Sequence, residues 1–519
     1  MRTDKRGPFL SILLGIYVIL IGIGLPVVVR DRYFDLLSTK YYFYLVCTIL
    51  IIALSFIYFI TAERKSVLLY FKGLSIKDII KRMTVADCSV LIFLLAAAVS
   101  TLFSDYLYES FWGNEGRLTG FFLLSLYVLS YFFVSRFWIY RSYYIDGMLA
   151  AGIFVCVFGI TDYFQMDIFH FRVNVLVEQK NIFTSTIGNI NTYTAYVGMI
   201  MAISSVLFAA SGGKRKIYYY FCMIISFFAI IMGVSDNAYI SLAALFGFLP
   251  LYLFSDKSGI RRYLVILVTF FSAVQITAWI NVYFSDVVIG TDGVFNIIAE
   301  SEVLLYLIVG LWSLVGLWYM VEHKNNLKLE SKEYGKRFQY MWLILILLII
   351  LLMMYALYDC NVSGNAQRYG LFGTYLVFND EWGTHRGYIW RNAIERFSEF
   401  SLWKKLVGFG PETFGILLRY KTYNNPYGET FDAAHNEYLQ LLLTIGIIGV
   451  TSYIVFLLSY IKKCFGCRNK NPYMIAIVYG VICYSTQAFV NLSVPVVAPV
   501  FWLLLGMGTA LSIKNNGEE

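Results

Sequence analysis

Runs of about 20 apolar residues, the length an α-helix needs to cross the hydrocarbon core of a bilayer, recur along almost the whole chain. They fall at 8–29, 42–61, 87–103, 118–135, 143–164, 192–210, 217–234, 237–254, 263–280, 302–321, 339–358, 436–460, 473–491 and 496–513. A backbone immersed in lipid has to satisfy its hydrogen bonds internally, which leaves helices as the element that such runs can form. The expected fold is therefore an all-α polytopic membrane protein of about 14 transmembrane helices. A hydrophobic content of 59% against 14% charged residues, with a mean hydropathy of +0.67, excludes a string of ordinary soluble domains.

Charge in the connections orients the bundle, because cytoplasmic loops are enriched in Lys and Arg. With the N-terminus inside, the cytoplasmic segments hold Arg2 to Arg6, Arg64 to Arg82, Arg136 and Arg141, Lys214 to Lys216, Lys257 to Arg262, Lys324 to Arg337, Lys462 to Lys470 and Lys514. They carry 27 of the chain's 41 Lys and Arg, so both termini are expected in the cytoplasm. The net charge of +8 is then a topology signal and not a nucleic-acid footprint. The first apolar run follows a basic start without a small-residue cleavage pattern and reads as a retained helix. Cys360 alone among the eight cysteines falls clearly outside the membrane on the external side, which excludes a disulfide framework there, and the lone pair Cys464 and Cys467 is weak grounds for zinc.

One connection is long. Three parts are expected: a bundle over 1–358, an external loop over 359–434, and C-terminal helices over 435–519. The loop concentrates eight of the basic residues left outside, and long loops are where function collects. Within it "THRGYIWRNAIERFSEF" has helical spacing, with Ile389, Trp390, Ala393, Ile394 and Phe397 as an apolar stripe for the interface. Arg386 stands at its N-terminus, where free N–H groups already favour an anion and a guanidinium can grip phosphate through two hydrogen bonds. The competing reading has Arg386, Arg391 and Arg396 snorkelling to lipid headgroups. Gly408 and Gly410 mark a tight turn before a helix started by Pro411, with Glu412 in its first turn. His435 is placed in the first turn of the span 436–460, where the dipole disfavours imidazolium and a neutral ring can take a proton from a hydroxyl. A purely structural interfacial histidine is the alternative. Gly446 and Gly449 allow close helix contact on that span.

"RGYIWRNAIERFSEFSLWKKLVGFGPETF" followed by "AHNEYLQLLLTIGIIG" resembles the signature of the O-antigen ligase and polymerase superfamily of polytopic membrane glycosyltransferases. "SFWGNEGRLTGFF" at 110–122 and "STIGNINTYTAYVG" at 185–198 fit the same pattern, so the resemblance covers roughly residues 100 to 450. It implies the large membrane glycosyltransferase fold and a glycan on undecaprenyl pyrophosphate, moved to a hydroxyl acceptor (glycan, lipid or protein) at the outer face of the bacterial plasma membrane. No cofactor and no metal are implied; other polysaccharide-export components are possible partners, and nucleic acid is not. By the same resemblance His435 supports acceptor activation and Arg386 holds pyrophosphate.

This chain departs from the pattern in places. The arginine that often precedes the Gly-Asn element is missing, and the nearest basic residues are Arg172 and Lys180, with Arg117 a competing second cation. An "SR" pair after the next helix is here Asp236 and Asn237 within "SDNAY". Asn189 and Asn191 suit helix capping better than chemistry. Trp112, Trp382 and Trp390 could stack on sugar, although Trp is common at any membrane interface. A flippase for the same lipid would call for related halves, which the sequence lacks. A non-catalytic envelope partner would leave the Arg and His pattern without a use.

Overall fold

The computed structural model describes residues 8–62, 83–114, 116–255, 257–325, 332–467 and 471–516. The basic residues within 2–6 and 64–82, together with Lys328, Arg468 and Lys470, lie outside the described residues. Every apolar window of the sequence carries helix, and the protein is an all-α multi-pass membrane protein. Among the described residues nine helices are long and apolar enough to span, and Phe121–Phe137, Asn237–Leu253 and Ala498–Ile513 are shorter apolar helices. A two-stranded antiparallel pairing of Phe183–Thr184 with Gly188–Asn189 is the β structure present among those residues.

The chain forms two compact units, one from Met1–Gly152, Asn392–Val481 and Ala488–Glu519, the other from Ile153–Arg391 and Ile482–Gln487. The first is organised around an aromatic column. Trp502 stacks on Tyr127 and on Phe456, with ring centroids 5.7 and 5.8 Å apart, and Phe456 meets Tyr131 edge-on at 5.2 Å. Lys40 is fully buried there, and its side-chain nitrogen donates to the carbonyls of Leu25 (2.6 Å) and Pro26 (3.0 Å), in the last turn of the first helix, where carbonyls lack helical partners. In the second unit Ile190–Ala210 is the most enclosed span, with 94% of its apolar window buried. Asn189 caps it by accepting from the N–H groups of Asn191 and Thr192, as the sequence led us to expect. Phe227, Phe246 and Phe270 form a second aromatic knot.

The window 436–460 is not one helix. It is split into Glu437–Thr444 and Gly446–Gly466, with Gly446 at φ +78° between them. The cause is the glycine turn of the preceding loop. The N–H groups of Phe409 and Gly410 donate to the carbonyls of Leu443 (3.3 Å) and Thr444 (2.9 Å), and the Ser100 hydroxyl takes the Thr444 carbonyl as well (2.7 Å). Gly408 and Gly446 abut from opposite sides. A Cβ on Gly408 would run into the Thr444 carbonyl, and one on Gly446 into the Leu406 carbonyl. Gly446 thus breaks the run and also allows the close approach of the Leu402–Val407 helix, while Gly449 lies near Ala96 on the neighbouring Val85–Leu102 helix.

Candidate active site

In the first unit the loop after Trp112 turns back at Gly113 (φ +89°) and brings the guanidinium of Arg117 to the carboxylate of Asp432, 3.0 Å away. Asp432 opens a strap, 432–436, that carries His435. The strap is held at its middle as well, where the Gln440 side chain accepts the N–H of Ala434 at 3.0 Å. His435 itself precedes the helix. Asn436 is the N-cap, its side chain accepting the Leu439 N–H, and His435 sits one residue earlier at φ +47°. The expectation that His435 lies in the first turn of a spanning helix is therefore corrected. The ring is half-buried beside the N-terminus of an eight-residue helix, on a strained left-handed residue.

The turn at 408–410 also differs from its expected form. The helix after it starts at Phe414 with Thr413 as N-cap, so Pro411 and Glu412 belong to the turn and not to a first helical turn. Glu412 is at φ +60° and 7% exposed, and burial pushes its carboxyl up to about 7. Ser104 anchors the turn by donating to the Phe409 carbonyl at 2.5 Å and accepting from the Ser110 hydroxyl at 2.7 Å.

Arg386 belongs to the second unit and lies on Trp382–Ser398, a helix whose residues from Asn392 on are counted with the first. Gly383, Thr384 and His385 all have positive φ, so the regular helix starts at Arg386, as the sequence led us to expect. Gly387 permits the crossing of the preceding chain, since a Cβ there would strike the Asn379 carbonyl. Arg386 is half-buried and faces Asp236; desolvation lowers its guanidinium below the ordinary value. Among the described residues it enters no ion pair, while Arg368, Arg391 and Arg396 pair with Asp359, Asp380 and Glu399. The arginine singled out for phosphate is thus half-buried and stands outside those ion pairs. The apolar stripe is rotated from its expected position. Ile389 and Ala393 are buried with Tyr388 and Asn392, whereas Ile394 is 60% exposed.

Around Arg386 stand Asp236, whose carboxyl is raised by desolvation and by Asp292, and Tyr239, whose hydroxyl accepts the Val294 N–H at 2.9 Å. Lys180 lies half-exposed on the 3₁₀ turn Val177–Ile182, and Arg172 is buried with Nε and one terminal nitrogen unpartnered among the described residues. Trp390 packs in a cluster with Trp382 (5.3 Å) and Phe378 (6.0 Å). Trp112 is 44% exposed on Phe111 and Phe122. Cys464 and Cys467 are buried near the end of Gly446–Gly466, and none of the eight cysteines forms a disulfide among the described residues. Sequence reading overlooked Asp432, Glu412 and Glu437. For Glu437 a signal existed, an acid opening an apolar run; Glu412, beside Pro411, looked like an ordinary helix start.

Residues 287–454 match the protein-family model described as O-Antigen ligase, a stretch that includes Arg386, the 408–410 turn, Asp432 and His435. No curated protein matches the chain.

Proposed function

From the match of residues 287–454 to the O-Antigen ligase family model, we propose that the chain takes a glycan from undecaprenyl pyrophosphate and joins it to a hydroxyl acceptor at the outer face of the plasma membrane, as a surface-polysaccharide polymerase or ligase. The observation that carries this reading is Arg386: a half-buried guanidinium at the first turn of a regular helix that enters no ion pair among the described residues. Such a group neutralises a departing diphosphate through its own donors. His435 supplies the complementary step, taking the proton of the acceptor hydroxyl as its oxygen attacks the anomeric carbon. Arg117 is assigned to anchoring the His435 strap through Asp432, and Lys180 and Arg172 remain for the second phosphate contact. In this reading 359–434 is the external active-site loop, flanked by the 1–358 and 435–519 membrane parts, and both termini are cytoplasmic.

The test uses the full chain in nanodiscs with lipid-linked glycans from its own cells. Arg386→Ala should lower transfer about 10²-fold or more, the loss expected for one preorganised donor to a developing anion. Arg386→Lys should restore only part of it, because the ammonium lacks the planar fork. His435→Ala should lower transfer about 10²-fold or more for the lost base. Longer glycans identify a polymerase, and transfer to an added acceptor identifies a ligase. Variants as active as wild type would remove the site from consideration.

A further inference from the structure

The first unit holds a partly open cavity with about 40 Å³ of space for the centres of water molecules, lined among others by Arg117, Glu412, Glu437, Gln440, Thr444 and Tyr453. One water needs roughly 10–15 Å³ of such space. Among the described residues, three polar atoms on its lining are buried without a hydrogen-bond partner: Oε2 of Glu412, Oε2 of Glu437 and Nε of Arg117. Both glutamates are 7% exposed, and the second oxygen of Glu437 accepts from the Tyr453 hydroxyl at 2.9 Å. One donor and two acceptors around a water-sized space are the partners that an ordered water requires.

Charge counting adds a second constraint. Arg117 is the cation lining the cavity, and Asp432 already takes it in an ion pair. Asp432 is exposed, whereas Glu412 and Glu437 are buried; with no cation of their own, both are costly to keep charged, so a proton is retained there. Burial pushes the carboxyls of Glu412 and of Glu437, which lies outside the Gly446–Gly466 span, each up to about 7. The charged and titratable groups facing them are Arg117 and Asp432 beside Glu412, and Tyr453 and Tyr438 beside Glu437. The other elements at the cavity present uncharged side chains such as Phe93, Ser493 and Trp502.

Three of the lining residues also hold the strap that carries His435. Arg117 fixes Asp432, Gln440 fixes Ala434, and Glu437 follows His435 by two positions. We propose that the cavity is a water-filled proton-transfer chamber in which Glu412 and Glu437 share an exchangeable proton and pass on the one that His435 takes from the acceptor. The acceptor O–H bond breaks and its oxygen bonds to the anomeric carbon, while the bond from that carbon to the pyrophosphate oxygen breaks with its electron pair. The proton moves to the His435 imidazole, then through water to the carboxylate of the pair, and finally to bulk water. The two glutamates are positioning residues for the proton and touch no substrate. This inference rests on His435 being the base.

The experiment is the pH–rate profile of transfer by the full chain in nanodiscs, for wild type, Glu412→Gln, Glu437→Gln and the Glu→Asp variants. The expected result is a fall of about 10-fold or more at neutral pH in the Gln variants, with loss of the profile's limb near neutrality and its partial return in the Asp variants. Gln variants with the wild-type profile overturn the relay while leaving the glycosyltransferase reading intact. A wild type that transfers nothing removes that reading and the relay together. If the Gln variants do not fold, the carboxyl stretch in the infrared spectrum of wild type decides. A buried protonated carboxyl that titrates near neutral pH supports the chamber, and its absence overturns it.

Discussion

Two residues that the sequence places in first helical turns, Glu412 and the proposed base His435, sit instead on costly backbone. Glu412 at φ +60° and His435 at φ +47° occupy the left-handed region, which disfavours side chains other than Gly and, less severely, Asn or Asp. Their conformations come from what surrounds them, the interlocked turn in one case and the doubly tethered strap in the other, and such a determination is tertiary. Glu412 has a measurable consequence. Its carboxyl, raised from 4.5 to about 7 by burial, binds its proton more tightly in the folded chain than in the unfolded one. Stability therefore falls as pH climbs from 4.5 through about 7, and the loss persists above that value. Glu437 shifts in the same direction, also to about 7. Melting temperatures of wild type and the Glu412→Gln, Glu437→Gln double variant, taken across this range, should diverge with rising pH in the variant's favour. Parallel curves would show that the folded pair holds no extra proton.

At the scale of elements, the break between Glu437–Thr444 and Gly446–Gly466 decides where the His435 strap can lie. A strictly apolar run gave no reason to break it, and the sequence was read as a single span. The reason is two loop N–H groups that take the carbonyls of Leu443 and Thr444, and no local pattern announces them. Arg386 was legible because its signal is local: an arginine opening a helical period. Gly408 was legible as a turn but not as the partner of Gly446. Because a Cβ on either glycine meets backbone, Gly408→Ala and Gly446→Ala should each cost at least about 2 kcal/mol. Ala substituted at Gly212, where a Cβ would meet nothing within 4 Å, is the control and should have little effect. Thermal unfolding in detergent checks both. Equal melting temperatures across the three variants would mean that the interlock is not rigid.

For the whole molecule, the spans and the fold class were legible because membrane insertion is governed by composition over about 20 residues, a property that survives without any tertiary information. The partition into two compact units, with 482–487 joining the second while its neighbours belong to the first, was not legible, since it depends on which helices pack together. The orientation read from loop charge can be tested with the cysteines the chain already has. Seven of the eight are buried and Cys88 is half-buried, so an impermeant maleimide should find little background in intact cells. Asn424 is exposed in the 359–434 segment, and Lys214 is exposed at the start of Gly213–Ile231, in a stretch assigned to the cytoplasm. The positive-inside rule places them on opposite faces. Asn424→Cys should label in intact cells and Lys214→Cys only after permeabilisation. The reverse pattern would put Arg386 and His435 on the cytoplasmic face, where a donor presented outside could not reach them, and the proposed reaction would fail with the topology.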